Sequence, residues 1–269
     1  MLAEASVPLD LTESQAITAG RYQVRFAKNN QEIALAQALR YRVFYVENQG
    51  QPTSAMVRTE REIDPWDEIA YHIIVLDKRD KNKVVGTVRL TSREYLTDEL
   101  NFYTDQAFDL GALKSKYNNI LELSRSCVDA DARSGAVLML IWKFAMKFIT
   151  ERRIELLLGC ASFNGANVEK HSQILTYLYD YNCAPEYLMP KPIVKNYVSI
   201  LDLKRNLPTS DWEKAKRSVP TLLRGYLKLG AKVSDTAIID PQFNSVFVAI
   251  YVDVAKMLSE SHTLVPRSS

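Results

Sequence analysis

The chain has 269 residues, 47% hydrophobic and 25% charged, with 9 Gly and 10 Pro. That profile is globular, not disordered or fibrous, and the length buries a core without disulfides or metals. Formal net charge is only +2. Cys127, Cys160 and Cys183 are odd in number and widely spaced, so they read as reduced core thiols of a cytoplasmic protein. His72, His171 and His262 have no helical spacing to one another, which argues against a histidine-centred metal site and most zinc hydrolases.

Residues 1–20 read as a polar lead-in. Acids stand where a signal peptide needs lysines, and no continuous apolar core follows. The pattern Ile33, Leu35, Ala36, Leu39, Val43, Phe44 predicts an amphipathic helix over Asn30–Glu47, ending before Gly50. Gln49–Arg61 is polar and reads as a mobile connector. AYHIIVLD (70–77) and VVGTVRLT (84–91), separated by the charged turn DKRDKNK, predict a β-hairpin, and 119–128 a third strand. Gly135 opens a broad-faced helix. Its longest apolar run, Ala136–Trp142, is far short of the roughly 20 residues of a membrane span. Ile154–Phe163 predicts a strand buried on both faces, followed by a helix over Asn167–Tyr181, a short helix over Pro220–Gly230 and a late strand over Ser245–Val252. This order is α/β on a mixed sheet. Residues 258–269 read as a tail ending in Leu264–Ser269, which resembles a thrombin-type tag remnant.

Charge is uneven along the chain. Pro190–Lys232 carries ten Lys/Arg against three acids, +7 in a protein of net +2. Such a segment suits a solvated face, an acidic protein partner or an anionic lipid surface; without a recognised binding motif, nucleic acid is not expected. Charges inside apolar strands are more telling: Arg89 in GTVRL, and Glu122 and Arg125 in LELSRS. Buried ions are costly unless paired, so these form either a structural Glu–Arg network or a polar site. Regular alternation puts Glu122 and Ser124 on one face and Arg125 on the other, so a bulge is required for both charges to share a cleft. The turn Glu62-Ile63-Asp64-Pro65-Trp66-Asp67 and the helix end Arg40-Tyr41-Arg42 supply further ionisable groups. Each alone also fits an ordinary capped turn or a solvated helix end.

Taken in order, LRYRVF (39–44), EIDPWD (62–67), GTVRL (86–90), LELSRSCVD (121–129) and R-S-G (133–135) resemble the autoinducer-synthase-like branch of the Gcn5-related N-acyltransferase fold. LLGCASF (157–163), PTLLRGYLKLGAKV (220–233) and DPQFN (240–244) resemble, more narrowly, the bacterial ornithine–acyl-carrier-protein N-acyltransferases that make lyso-ornithine lipid. The resemblance covers residues 20–257. It implies one N-acyltransferase domain over 21–257, with a mixed central sheet flanked by helices, a C-terminal extension and 190–232 as a basic helical insertion.

The implied reaction moves a long, 3-hydroxylated acyl group from acyl carrier protein to the α-amine of L-ornithine. Glu122 is the implied base, with Ser124 and Arg125 beside it and an oxyanion-binding amide near Ser124–Ser126. Arg42, Asp64, Asp67 and Arg89 are candidates for holding the amino acid. Arg89 or Arg125 would fork its carboxylate, and Asp64, Asp67 or Glu122 would hold its ammonium. Arg133, Ser134, Gly135 and Ala136 resemble a phosphate-cradling turn at a helix N-terminus, with Trp142 and Phe163 toward the acyl chain. A single glycine in that turn fits a carrier's phosphopantetheine better than coenzyme A. Lys143, Lys147, Lys214, Lys216 and Arg217 are candidate docks for the acidic carrier. No permanently bound cofactor is expected, and the inner membrane leaflet is a further candidate contact. Other readings are acylation of another amino acid, homoserine-lactone synthesis, or lipid-surface binding without turnover.

Overall fold

A computed structural model describes residues 16–207 and 211–263. Most of the lead-in and the whole of Leu264–Ser269 lie outside the described residues. In chain order the elements are β1 (Ile17–Ala19), β2 (Tyr22–Phe26), α1 (Asn30–Tyr41), α2 (Ser54–Thr59), β3 (Tyr71–Asp77), β4 (Lys83–Ser92), β5 (Phe108–Asp109), α3 (Gly111–Lys116), β6 (Ile120–Val128) and α4 (Ala136–Glu151). There follow β7 (Leu156–Asn164), α5 (Ser172–Asn182), β8 (Lys191–Pro192), β9 (Tyr197–Ser199), α6 (Ile200–Arg205), α7 (Trp212–Ser218), α8 (Thr221–Lys228), β10 (Lys232–Val233), β11 (Thr236–Asp240), β12 (Ser245–Asp253) and α9 (Val254–Thr263). Contacts divide the chain into two compact units, one formed by residues up to Phe102 with Glu122–Arg153, the other by Tyr103–Leu121 with the chain from Ile154 onward. Among the described residues no helix is long and apolar enough to cross a membrane.

In the first unit the strand order is β1-β2-β3-β4-β6, with β1 to β4 pairing antiparallel in succession. Ile17–Ala19 pair with Tyr22–Val24, so regular structure begins inside the expected lead-in. The predicted hairpin is β3–β4, and its alternation sorts side chains to two faces. His72, Ile74 and Leu76 face one way; Tyr71, Ile73 and Val75 face the other. The first face, with Val84 and Cys127, packs on Ile33, Ala36, Leu39 and Val43. On the opposite face the Phe26 ring lies 4.8 Å from Phe144 and the Tyr71 ring 5.2 Å from Phe148, both phenylalanines belonging to α4.

Two departures from the predicted elements have local causes. The helix starts where expected, the Asn29 side chain accepting from the Glu32 N–H at 3.0 Å, and Glu32 in turn takes both Arg25 Nη atoms at 2.6 Å. Beyond Tyr41, however, the backbone widens into a π-helical segment, Arg42–Glu47. The extra residue per turn keeps Val43 and Tyr45 buried while Val46 turns outward. The connector read as mobile carries α2, capped by Thr53 (Met56 N–H to Oγ1, 3.2 Å) and pinned by buried Met56. Its polarity hid a helix with only one buried side chain.

In the second unit the order is β7-β12-β11-β9, with β10 also pairing β12. The β7–β12 ladder runs nine residues from Leu156↔Asp253 to Asn164↔Ser245. Nearly every β12 residue is buried, which is why Ser245–Val252 reads as an unbroken apolar run. The 190–232 segment, expected to be helical, contains α6, α7 and α8 together with the short strands β8, β9 and β10. Strand lengths of two or three residues carry no alternation to read.

Gly86 marks a close approach in the first unit. A Cβ there would lie 2.6 Å from Val137 Cγ1 of α4. Gly86→Ala is therefore expected to destabilise by about 1–3 kcal/mol through overpacking, measured as a lowered urea midpoint at unchanged m.

Candidate active site

The charges embedded in the first unit form a closed cycle. Arg40 Nε stands 2.5 Å from Glu62 Oε2, and the other oxygen of Glu62 accepts from Arg125 Nε at 2.9 Å. Arg125 Nη2 donates to Asp64 Oδ2 at 2.7 Å. Asp64 Oδ1 takes Arg89 Nη1, and that same nitrogen reaches Asp67 Oδ1 at 3.0 Å. Asp67 returns to Arg40 through two hydrogen bonds, from Nη1 at 2.8 Å and Nη2 at 2.6 Å. Three arginines and three carboxylates alternate around the ring, which is formally neutral. This is how the interior tolerates six ions: each has opposite neighbours on both sides, and Arg40, Asp67 and Arg89 make further hydrogen bonds besides.

Each element contributes what its local structure allows. Arg40 lies on the buried face of α1, four residues after Ala36, and is fully buried. Its Nη2 also donates to the Glu62 carbonyl at 2.6 Å, tying α1 to the following loop. Asp64 precedes the 3₁₀ turn Pro65–Glu68, whose Pro start brings Asp64 and Asp67 within reach of the same guanidinium. Arg89 comes from β4 and directs Nε to Ser124 Oγ at 3.0 Å. Arg125 adopts φ +54°, left-handed for a residue in a strand. Alternation is thereby broken. Ser124 and Arg125 both meet ring members, and counting back from Ser124 puts Glu122, fully buried, on the same face.

The ring has a dry side and a rim. Asp64 (12% exposed) and Arg125 (8%) are its most open side chains, and Ser124 beside them is half-buried. Asp67 is saturated. Besides its three arginine bonds it accepts from Gln37 Nε2 at 2.9 Å, which fills the lone-pair sites of a carboxylate. Burial works against the Asp67 charge, but Arg40 and Arg89 outweigh it and hold the carboxyl well below its ordinary pKa. For Arg40 burial likewise opposes the charge, and Glu62 and Asp67 outweigh it, raising its pKa. His72 sits behind the ring, with Nε2 3.0 Å from the Asp67 carbonyl; a carbonyl only accepts, so Nε2 carries the proton. Burial lowers the His72 pKa to about 4, the Asp67 charge opposing this only in part, so the ring faces a neutral imidazole. Among the described residues three buried side-chain nitrogens have no hydrogen-bond partner: Arg89 Nη2, His72 Nδ1 and Arg40 Nε, the last of which meets Glu62 Oε2 as an ion pair only.

A second polar group lies at the β6–α4 turn. Asp129 accepts from the Asp131 N–H and is flanked by Lys83 (3.1 Å) and Arg42 (3.2 Å). Burial raises its pKa, but these partners outweigh that and leave it lowered. Arg133 bonds the Val128 carbonyl and Glu47. Gly135 (φ +89°) is the N-cap of α4 and brings no side-chain cap, and a Cβ there would meet nothing within 4 Å. The sixteen-residue helix thus starts without a side-chain cap for its first amides.

This chain is 33% identical over 245 residues to the L-ornithine N(alpha)-acyltransferase of Rhodobacter capsulatus, covering 90% of this chain and 93% of that protein. It is 30% identical over 244 residues to the L-ornithine N(alpha)-acyltransferase of Agrobacterium fabrum, covering 88% and 83%. The chain belongs to the L-ornithine N(alpha)-acyltransferase family. A family model described as an acetyltransferase (GNAT) domain matches residues 39–143 of this acyltransferase, a span that contains the whole ring. The structure of an N-acyl amino acid synthase from uncultured soil microbes aligns with 90% of this chain and 95% of its own at 10% identity, TM-score 0.44. The acyltransferase has the GNAT architecture, a mixed α/β fold with a central sheet flanked by helices.

Asp64, Asp67, Arg89, Ser124 and Arg125 of the expected site come together at the ring. Arg42 does not; it lies at the α4 turn on Asp129. Arg133, Ser134, Gly135 and Ala136 form that turn, and Trp142 is half-buried farther along α4. Phe163 is buried in β7 of the second unit, 5.7 Å from the His171 ring. Lys143 and Lys147 are exposed on α4; Lys214, Lys216 and Arg217 are exposed on α7. Arg40 and Glu62 are ring members that the sequence reading left unassigned. Their signal was a charge at a buried helix position and a carboxylate two residues before Asp64.

Two measurements check the ring. Glu62→Gln leaves Arg40 and Arg125 each short of a counter-charge and is expected to cost about 3 kcal/mol in denaturant unfolding. Between about pH 4 and 6.5 the unfolded chain binds a proton at His72 that the folded chain refuses, so stability falls as pH drops through that window. Asp67, whose folded pKa is lowered, contributes stability above its unfolded value and loses it as pH falls through the folded one, extending the decline. His72→Gln should flatten the stability profile from pH 4 to 6.5 while leaving the lower decline in place.

Proposed function

We propose that this acyltransferase moves a long 3-hydroxyacyl group from the phosphopantetheine thioester of acyl carrier protein to the α-amine of L-ornithine. The observation that carries the reading is the ring's open rim, where Asp64, Arg125 and Ser124 present both signs of charge and a hydroxyl on the face that also holds Glu122. A basic amino acid needs that combination: an acid for its side-chain ammonium, a cation for its carboxylate and a base for its reacting amine. Asp67 has no capacity left for a substrate, so Asp64 is the acid assigned to the ammonium.

In the reaction the α-amine, deprotonated by Glu122 directly or through a water, attacks the thioester carbonyl. The C–N bond forms, the C–S bond breaks, and the departing thiolate takes up a proton. The negative charge on the carbonyl oxygen needs a backbone N–H, and the left-handed turn at Arg125 supports such a donor by interrupting the regular ladder. The uncapped α4 N-terminus at Gly135, with Arg133 and Ser134 before it, suits the single phosphate of the carrier's arm. Met139, Lys143 and Lys147 follow at four-residue spacing on one exposed stripe of the same helix, and this stripe suits the carrier dock.

Purified protein mixed with 3-hydroxyacyl-carrier thioester and a panel of amino acids should release thiol with ornithine and little with neutral amino acids. Equal release with alanine would reject ornithine as the acceptor. Glu122→Gln should lower kcat by about 10²–10⁴-fold with an unchanged unfolding midpoint. Asp64→Asn should act mainly on the KM for ornithine.

A further inference from the structure

Among the described residues, four of the exposed large hydrophobic side chains fall within one stretch of the second unit: Tyr187, Ile193, Tyr197 and Leu201, between 38% and 68% exposed. Lys191, Lys195, Lys204 and Arg205 are interleaved with them; Arg205 pairs with Asp202 at 2.9 Å and Lys204 with Asp180 at 2.5 Å, and Lys191 and Lys195 are exposed beside the apolar side chains. The stretch is held firmly from behind. The Ile193 N–H donates to the Ala107 carbonyl at 2.9 Å, Tyr197 pairs with Ile238 of β11, and the Ser199 side chain caps α6 by accepting from the Asp202 N–H. Pro190 and Pro192 fix the backbone between them. On the same side of the chain, Lys116 Nζ lies 5.9 Å from the Tyr187 ring. Leu188 and Ile200 fill the interior, so the exposed members are not core residues left over.

β9 is the terminal strand of its sheet, and an exposed apolar edge is an aggregation hazard unless something covers it. Tyrosines and a branched aliphatic spaced by lysines match the boundary of a bilayer, where rings sit at headgroup level and ammonium groups meet anionic lipid. We propose that residues 187–205 dock this protein on an anionic membrane surface. The inference deepens the proposed function and rests on it for one point: acylating ornithine with a long chain makes an amphiphile that must leave into lipid. A carrier protein also has anionic character, but four exposed apolar side chains within one stretch, Tyr197 among them on the edge strand β9, favour a bilayer.

The test uses the full chain with vesicles of pure phosphatidylcholine and of phosphatidylcholine with 30% phosphatidylglycerol, read by co-sedimentation, alongside carrier-dependent acyl transfer in solution. Binding should be at least about tenfold tighter to the anionic vesicles and weaken with salt. Lys191→Glu with Lys195→Glu should abolish that preference. Ile193→Ser with Tyr197→Ser should weaken binding even at low salt, and both variants should keep wild-type transfer from soluble carrier. Vesicle binding unchanged in both variants overturns the proposal, as does a loss of carrier use with vesicle binding retained. Failure of the acyl-transfer reading would instead show as wild-type protein that binds vesicles and turns over nothing.

Discussion

Six buried ions held in a single alternating cycle are the constraint on which the first unit is built. The cycle draws on α1, the 62–67 turn, β4 and β6, so no one of these elements can shift without separating opposite charges in a poorly solvating interior. Such a network is not a general source of stability, because desolvation cancels most of the attraction. Its effect is geometric. It fixes where Asp64, Ser124 and Arg125 stand relative to one another and to the face that bears Glu122, and it does so with zero net charge left to repel a zwitterionic or cationic amino acid.

The ring also divides labour among residues of the same type. Asp67 and Asp64 are both carboxylates of one short turn, yet the first is saturated by four side-chain donors and the Asp64 N–H while the second keeps exposure and spare acceptor capacity. Arg40 is sealed among ring partners, whereas Arg125 reaches the rim because its backbone turns left-handed. His72 completes the separation by remaining neutral behind Asp67, so it adds no charge to a balanced set. The α4 turn is independent of this arrangement: Asp129 is neutralised by Lys83 and Arg42, and Gly135 starts α4 without a side-chain cap.

Much of this was legible in the residues. The β3–β4 hairpin, β6, α4 and β7 follow from periodicity, and Arg89, Glu122 and Arg125 stood out as ions in apolar strands. The need for a break in alternation at β6 was also readable, because a strict pleat sends Glu122 and Arg125 to opposite faces. What stayed hidden was partnering. A sequence cannot show that Arg40 and Glu62 close the cycle, since a charge at a helix end and a carboxylate in a turn look solvated until the fold brings them together. Arg42 of LRYRVF was expected in the site from the resemblance, but the π-helical turn starts there and Arg42 meets Asp129 instead. The helix α2 was missed because a single buried methionine leaves no periodic stripe.

The central claim is that Arg40 and Asp67 act as one neutral unit, and a double-mutant cycle measures this directly. Arg40→Met and Asp67→Leu should each destabilise by about 3 kcal/mol, each leaving a buried ion without its partner, while the double variant should recover most of that loss. Additive losses in the double variant would contradict the account, since they would mean that the two side chains do not depend on each other for burial.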